Sequence, residues 1–266
     1  MTADLPSVGW LELSLMASFQ LLVAALSWAL GLGLGRRLVI ATVRMVLQLA
    51  LIGRALSWVF ELEHRVVLLG LGLLMTGMAA HAAVSRSERG FHGALTSSFL
   101  ALAISTGTCL WVGVVFVLHL EDPWQGRYLV PLLGMLLGNS LTGVSLCLRK
   151  LVDGLSEDRA GIEMALCLGA TSWEAAREPI AAALRVALVP TLNAMTVAGV
   201  VALPGMMTGQ ILAGVPPAVA VGYQALIFLL LATSTLASSS LVAHAAFRRH
   251  FTRDHRLLEP PPSAPG

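Results

Sequence analysis

Apolar residues run through this chain in long blocks separated by short polar stretches. Each block comes close to the roughly 20 residues a helix needs to cross a bilayer. The blocks cover approximately 12–34, 38–60, 66–85, 94–118, 128–148, 186–204 and 218–246. In lipid every backbone N–H and C=O must find a partner within the span, which a helix achieves by itself. The runs are too long and too continuously apolar for the alternating strands of about ten residues that build a membrane barrel. The pattern therefore predicts an all-α, polytopic membrane protein with about seven transmembrane helices, forming a single transmembrane domain over 1–266.

One polar stretch is too long and too ordered to be a simple connection. Residues 153–185 read as a helix-turn-helix between two apolar blocks. Asp153-Gly154 is a turn signal, and Ser156 is suited to cap a helix whose first turn carries Glu157 and Asp158. Arg159 and Glu163 are spaced i,i+4 for an ion pair, and Ile162, Ala165 and Leu166 share a face. Gly169 suits the position just past a helix C-terminus. Thr171-Ser172-Trp173-Glu174 reads as a capping box opening a second helix, with a kink expected at Pro179.

Composition agrees with the pattern. The chain is 56% hydrophobic and 12% charged, with mean hydropathy +0.80, against about 25% charged residues in soluble domains. The net charge of +2 gives no argument for nucleic acid, which is not among the expected partners. The placement of charge says more. Arg36, Arg37, Arg86, Arg89, Arg149, Lys150, Arg159, Arg177, Arg185, Arg248, Arg249, Arg253 and Arg256 fall on one side of the predicted membrane. Only Arg65 and Arg127 fall on the other, with Asp4, Glu12, Glu61, Glu63, Glu121 and Asp122. The positive-inside rule places the N-terminus outside, the C-terminus inside and 153–185 in the cytoplasm. The N-terminus lacks a basic region of the signal-peptide kind, so the first span is expected to persist. Cys109, Cys147 and Cys167 read as small core residues, and the Pro-rich tail 258–266 reads as disordered.

A second unusual stretch follows the sixth block. In Leu203-Pro204-Gly205-Met206-Met207-Thr208-Gly209, Pro204-Gly205 is expected to break the helix, and Gly209 and Gly214 to keep the backbone irregular. Such backbone at membrane depth needs protein or a water-filled cavity around it.

Glu163-x-Ala165-x-x-x-Gly169 resembles the cytoplasmic coupling motif of ABC-transporter permeases, although Met164 stands where the motif has its first alanine. A wider set closely resembles the FetB-type permeases, the membrane subunits of a bacterial iron exporter and relatives of plant aluminium-tolerance permeases. It comprises Gly169-Ala170-Thr171, Arg185-x-Ala187-Leu188-x-Pro190-Thr191, Leu203-Pro204-Gly205-Met206-Met207-x-Gly209 and Tyr223-Gln224. Arg44-x-x-x-Gln48 and Gly138-Asn139 extend the match over nearly the whole chain. The resemblance implies a permease subunit in a bacterial inner membrane, working as two copies with a cytosolic ABC ATPase that docks on Glu163, Ala165, Gly169, Ala170 and Thr171. It implies ATP and Mg on that partner and no cofactor here, and no Walker-type G-x-x-x-x-G-K-[ST] occurs in the chain. The cargo it implies is an iron-like metal ion moved outward.

Candidate path residues follow from polarity inside the blocks. Arg44 and Gln48 lie one turn apart on the second, with Arg54 further along. An intramembrane Arg marks a pathway or a buried pairing, or it snorkels to the headgroups, and both readings stay open. Asn139 and Asn193 are candidates for inter-helix hydrogen bonds or for substrate contact. Met206 and Met207 offer thioethers, or fill gaps beside a bend. The seven histidines sit mostly at block ends, and no His/carboxylate grouping predicts a metal site. Ala194, Ala198 and Gly199 on the sixth block, with Ser234, Ala237 and Ser238 on the seventh, permit close helix contact. The alternative reading is a stand-alone secondary transporter or channel, which would normally hold acidic residues within the bilayer. Here the fifteen carboxylates all fall in loops, tails or block ends. No G-x-S-x-G or zinc signature supports an intramembrane enzyme.

Overall fold

The computed structural model describes residues 9–62, 64–87, 91, 93–117, 122–252 and 254–258. Among these the regular elements are helical, as predicted. In chain order they are α1 (Trp10–Ala29), α2 (Gly35–Leu62), α3 (Arg65–Ser87), α4 (Ala94–Val112), α5 (Gly126–Glu157), α6 (Arg159–Cys167), α7 (Ser172–Val197), α8 (Gly205–Leu212) and α9 (Pro217–His250). A helical counterpart exists for each of the seven predicted spans. Among the described residues five are long and apolar enough to cross a membrane: α3, α4 with the turn that follows it, α5, α7 and α9. The described apolar part of α1, Ser14–Ala29, is shorter. The tail 259–266, Asp4, Glu63, Arg89, Glu121, Arg253, His92 and His119 lie outside the described residues, as does the side chain of Glu61.

Contacts divide the chain into two units, 1–63 and 64–266. In the first, α1 and α2 form a helical hairpin. Gly31 and Gly33, both at φ +66°, turn the chain between them. Ala24 and Ser27 are buried, while Leu15, Phe19, Leu22 and Trp28 are exposed, an outward apolar face suited to lipid.

The second unit is a bundle in which α5 is central and packs on α3, α4, α7 and α9. Small residues let these helices close up. A Cβ on Gly143 of α5 would collide with Thr235 of α9 and press on the carbonyl of Ala187 of α7. Ser140 of α5 and Ser234 of α9 share a hydrogen bond of 2.8 Å. Ser238 and Ser239 are buried alongside, and the Cys147 thiol reaches the Ser239 carbonyl at 3.6 Å. On α7 the residues at the contact are Ala176, Ala183, Ala187 and Thr191. The predicted set was different: Ala194 and Gly199 are exposed and Ala198 is half-buried, because α7 leaves the bundle core before it ends.

Several boundaries differ from expectation for local reasons. Asp153-Gly154 makes no turn, because α5 stays helical to Glu157, burying Val152 and Leu155. Gly154 serves close approach instead, its Cβ position lying 3.5 Å from Pro179 of α7. Ser156 caps nothing and bonds back to the Val152 carbonyl at 2.8 Å. Pro179 and Pro190 lie within a continuous α7. That helix ends at Val197, with Ala198 extended and Gly199 at φ +82°, before Pro204 is reached. Pro204 then stands at the N-cap of α8, and Gly205 and Gly209 are helical within it, so the irregular backbone is 198–204 and the turn at Gly214 (φ +91°). After α4 the backbone forms a π-helical turn, Gly113–Val117, that the pattern gave no sign of.

Candidate functional site

The ends of the second unit differ in chemistry. One end gathers the C-terminal ends of α3, α5 and α9 with α6 and the start of α7. It carries Arg86, Arg149, Lys150, Arg159, Arg177, Arg248 and Arg249. At the other end Arg65 lies over the Trp124 ring at 5.7 Å, and Trp124 meets Trp111 at 6.2 Å. Within this unit the described basic residues are sorted as the sequence predicted, except that Arg185 stands midway along α7.

At the basic end α6 and α7 form a rigid corner. Ile162 is buried in the main apolar cluster and pins α6 to the bundle, and Leu166 packs against the same cluster. Arg159 Nε donates to Glu163 Oε1 at 2.7 Å. The helix closes with paired bonds at its C-terminus: Gly169 N–H to Leu166 O and Ala170 N–H to Ala165 O, each 3.0 Å. This closure needs the left-handed residue that Gly169 supplies at φ +95°. Thr171 then caps α7, accepting from Glu174 N–H while its own N–H donates to Glu174 Oε2 at 2.8 Å. Those donors hold the exposed Glu174 carboxyl below its ordinary range. The predicted capping box, the Arg159–Glu163 pair and the role of Gly169 are all found here.

The C-terminal residues brace this corner, which sequence reasoning missed. Residues 251–252 and 254–258 fold back, with Leu258, expected in the disordered tail, donating its N–H to His250 O at 2.8 Å. His255 Nδ1 accepts from the Ser172 N–H at 3.2 Å and lies 2.8 Å from its hydroxyl. Trp173 packs edge-on against Phe247 at 5.4 Å. His250, expected at an interface, is buried, with Nδ1 on the Ala246 carbonyl at 2.8 Å. Facing outward from the corner are Met164, Leu168 and Trp173, which are 62%, 82% and 50% exposed. Two apolar side chains open to solvent, with the exposed face of a third that packs on Phe247, stand beside charged residues and form a surface suited to a partner protein. Cys167, expected in the core, is exposed here, whereas Cys109 and Cys147 are buried.

The predicted path residues do not form one cluster. Arg44 and Gln48 are exposed on α2, in the first unit. Asn139 is half-buried and donates to Met135 O of its own helix at 3.1 Å, an intrahelical bond and not the bridge expected. Asn193 is exposed on α7. Met207 is buried, and Met206 lines a cavity of about 500 Å³ at the bundle end away from α6. No grouping of three or more His, Cys, Asp or Glu suited to a metal occurs among the described residues.

Apolar helices long enough to span, packed through small residues and sorted by charge, define a polytopic helical membrane protein. The chain belongs to the Uncharacterised protein family (UPF0014), whose model matches residues 10–251. It is 36% identical to the UPF0014 membrane protein slr1647 of Synechocystis over 96% of each chain. It is 32% identical to the Escherichia coli protein described as "Probable iron export permease protein FetB", covering 81% of this chain and 82% of that one. It is 29% identical to the Arabidopsis thaliana protein ALUMINUM SENSITIVE 3, over 89% of this chain and 85% of the relative. No solved structure matches the chain at a significant level. The resemblance read from the motifs is thus a family relationship.

Proposed function

We propose that this chain is the membrane-spanning subunit of an ABC transporter that exports a metal, iron or a chemically similar ion, using ATP hydrolysed with Mg on a separate cytosolic ATPase. The observation that carries this reading is the braced corner around Gly169, with Met164, Leu168 and Trp173 exposed beside Glu163. A corner that passes force must not yield. Here one helix end is closed by backbone bonds, the next is capped on both sides of Thr171, and the C-terminal turn is bonded to Ser172. The likeness to the E. coli permease supports export and a metal cargo.

In this reading two copies of the chain and two ATPases form the working complex in the bacterial inner membrane. The N-terminus lies outside and the corner and C-terminus lie in the cytosol, a placement that the charge sorting along the sequence and the basic end of the bundle support. Closure of the ATPases on ATP moves the corner, and α5, α7 and α9, locked by Gly143 and the Ser140–Ser234 pair, move as a body. Reversing the charge of Glu163 breaks its pair with Arg159 at an exposed surface, where such a pair contributes about 0.3–0.5 kcal/mol. Glu163→Arg is therefore expected to leave the protein folded in membranes while abolishing ATP-driven metal efflux from cells coexpressing the ATPase. Wild-type efflux by that variant would count against the docking role.

A further inference from the structure

The cavity at the far end of the bundle has a chemistry of its own. It lies between the π-helical turn after α4, the start of α5, α8 and the first half of α9, and holds about 500 Å³. That is ample for a small organic molecule. Its wall is mainly aliphatic, with the thioethers of Met135 and Met206. Gly113 opens the π-helical turn, letting Leu230 approach where a Cβ would touch it at 2.8 Å. Such turns recur at functional sites.

The polar groups on this wall are few and specific. Arg127, Tyr128 and Tyr223 line it and are exposed. Gln210 lines it with a buried Oε1 that has no hydrogen-bond partner. Pro131, within α5, has no N–H to give the Arg127 carbonyl. No carboxylate is among the described residues that line it. A bare metal cation would lose its water there, gain no hard oxygen ligands of opposite charge, and meet a guanidinium.

We propose that this cavity binds an organic anion, with its apolar body against Met135, Met206 and Ile227 and its acidic group on Arg127. A donor group on the ligand would satisfy Gln210. Two sources share this chemistry: an anionic metal chelate with an organic shell, and an anionic membrane lipid. That the site receives the cargo rests on the transporter reading, whereas the binding itself does not.

The test uses the full-length chain in lipid nanodiscs without ATPase, irradiated with a diazirine-bearing fatty acid. Adducts are mapped by peptide mass spectrometry. Labelling is expected on residues 127–136, 206–210 and 223–230, and the matching fatty alcohol should label them about tenfold less, the loss of one charge-assisted contact. Arg127→Gln should cut labelling by the acid about tenfold and Arg127→Lys should recover part of it. Met135→Trp, which fills the space, should abolish it, with thermal unfolding of each variant confirming the fold. Competition by the iron(III) complex of 2,3-dihydroxybenzoate would assign the site to chelated cargo, and competition by added phosphatidylglycerol would assign it to lipid. Equal labelling by acid and alcohol, no response to Arg127→Gln, or displacement by ferrous sulfate alone would each overturn the proposal. Absence of ATP-driven metal efflux from cells coexpressing the wild-type chain and the ATPase, with labelling intact, would sink the transporter reading and leave this site standing.

Discussion

Replacing Gly169 separates backbone conformation from packing at the corner between α6 and α7. The residue sits at φ +95° with no heavy atom within 4 Å of where a Cβ would stand. A Cβ there meets open space, so the penalty is conformational. A non-glycine residue in left-handed backbone costs roughly 1–2 kcal/mol, and a β-branched one stands at the upper end. If the chain escapes that strain by opening, it gives up the bonds from Gly169 to Leu166 and from Ala170 to Ala165. Each of these contributes about 0.5–1.5 kcal/mol. Gly169→Val should therefore shift the corner toward open forms by about 2 kcal/mol, roughly 30-fold in population. Gly169→Asn should do so far less, since Asn also occurs at this helix-ending position. The assay is ATP-driven efflux together with retention of the ATPase through purification. Thermal unfolding of the detergent-solubilised chain checks that the bundle, which Gly169 does not touch, is unaffected. The expected order is Gly, then Asn, then Val, with little change in unfolding temperature. Equal function of Val and Gly, or Asn as poor as Val, would refute the argument.

Gly143→Leu should destabilise the bundle by about 1–3 kcal/mol or more, because Thr235 and the Ala187 carbonyl leave no room even for a methyl group; an unchanged unfolding temperature would contradict the described packing of α5, α7 and α9. His255→Ala removes the acceptor for Ser172 and should free the C-terminal turn by about 0.5–1.5 kcal/mol per bond lost. Amide exchange at Ser172 should then quicken severalfold, and unaltered exchange would show that the tail does not brace the corner.

How much of this was legible depends on what each residue type does in lipid. Helix positions were readable because apolar blocks of that length admit only helices, and the Gly169 and Thr171 caps because they face water and follow soluble-protein rules. The same rules failed within the bundle. Gly154, Gly205 and Gly209 looked like breaks, yet lie in helices. At 154 the missing side chain serves the approach of Pro179. Ser156 looked like a cap, yet bonds to the carbonyl four residues back. Asn139 looked like an inter-helix bridge, yet its amide stays on its own helix. The π-helical turn and the cavity beside it depend on how α4, α5, α8 and α9 meet, which no local pattern encodes. The bracing by His255 joins residues 83 positions apart.

The central claim, that the corner at Gly169 faces the cytosol and receives an ATPase, can be tested with a residue already in place. Cys167 is exposed on α6, while Cys109 and Cys147 are buried. A membrane-impermeant maleimide should label the chain in inside-out vesicles, leave it unlabelled in right-side-out vesicles, and lose its access when the ATPase is coexpressed, with Cys167→Ser as the blank. Labelling of Cys167 from the outer face would contradict the account.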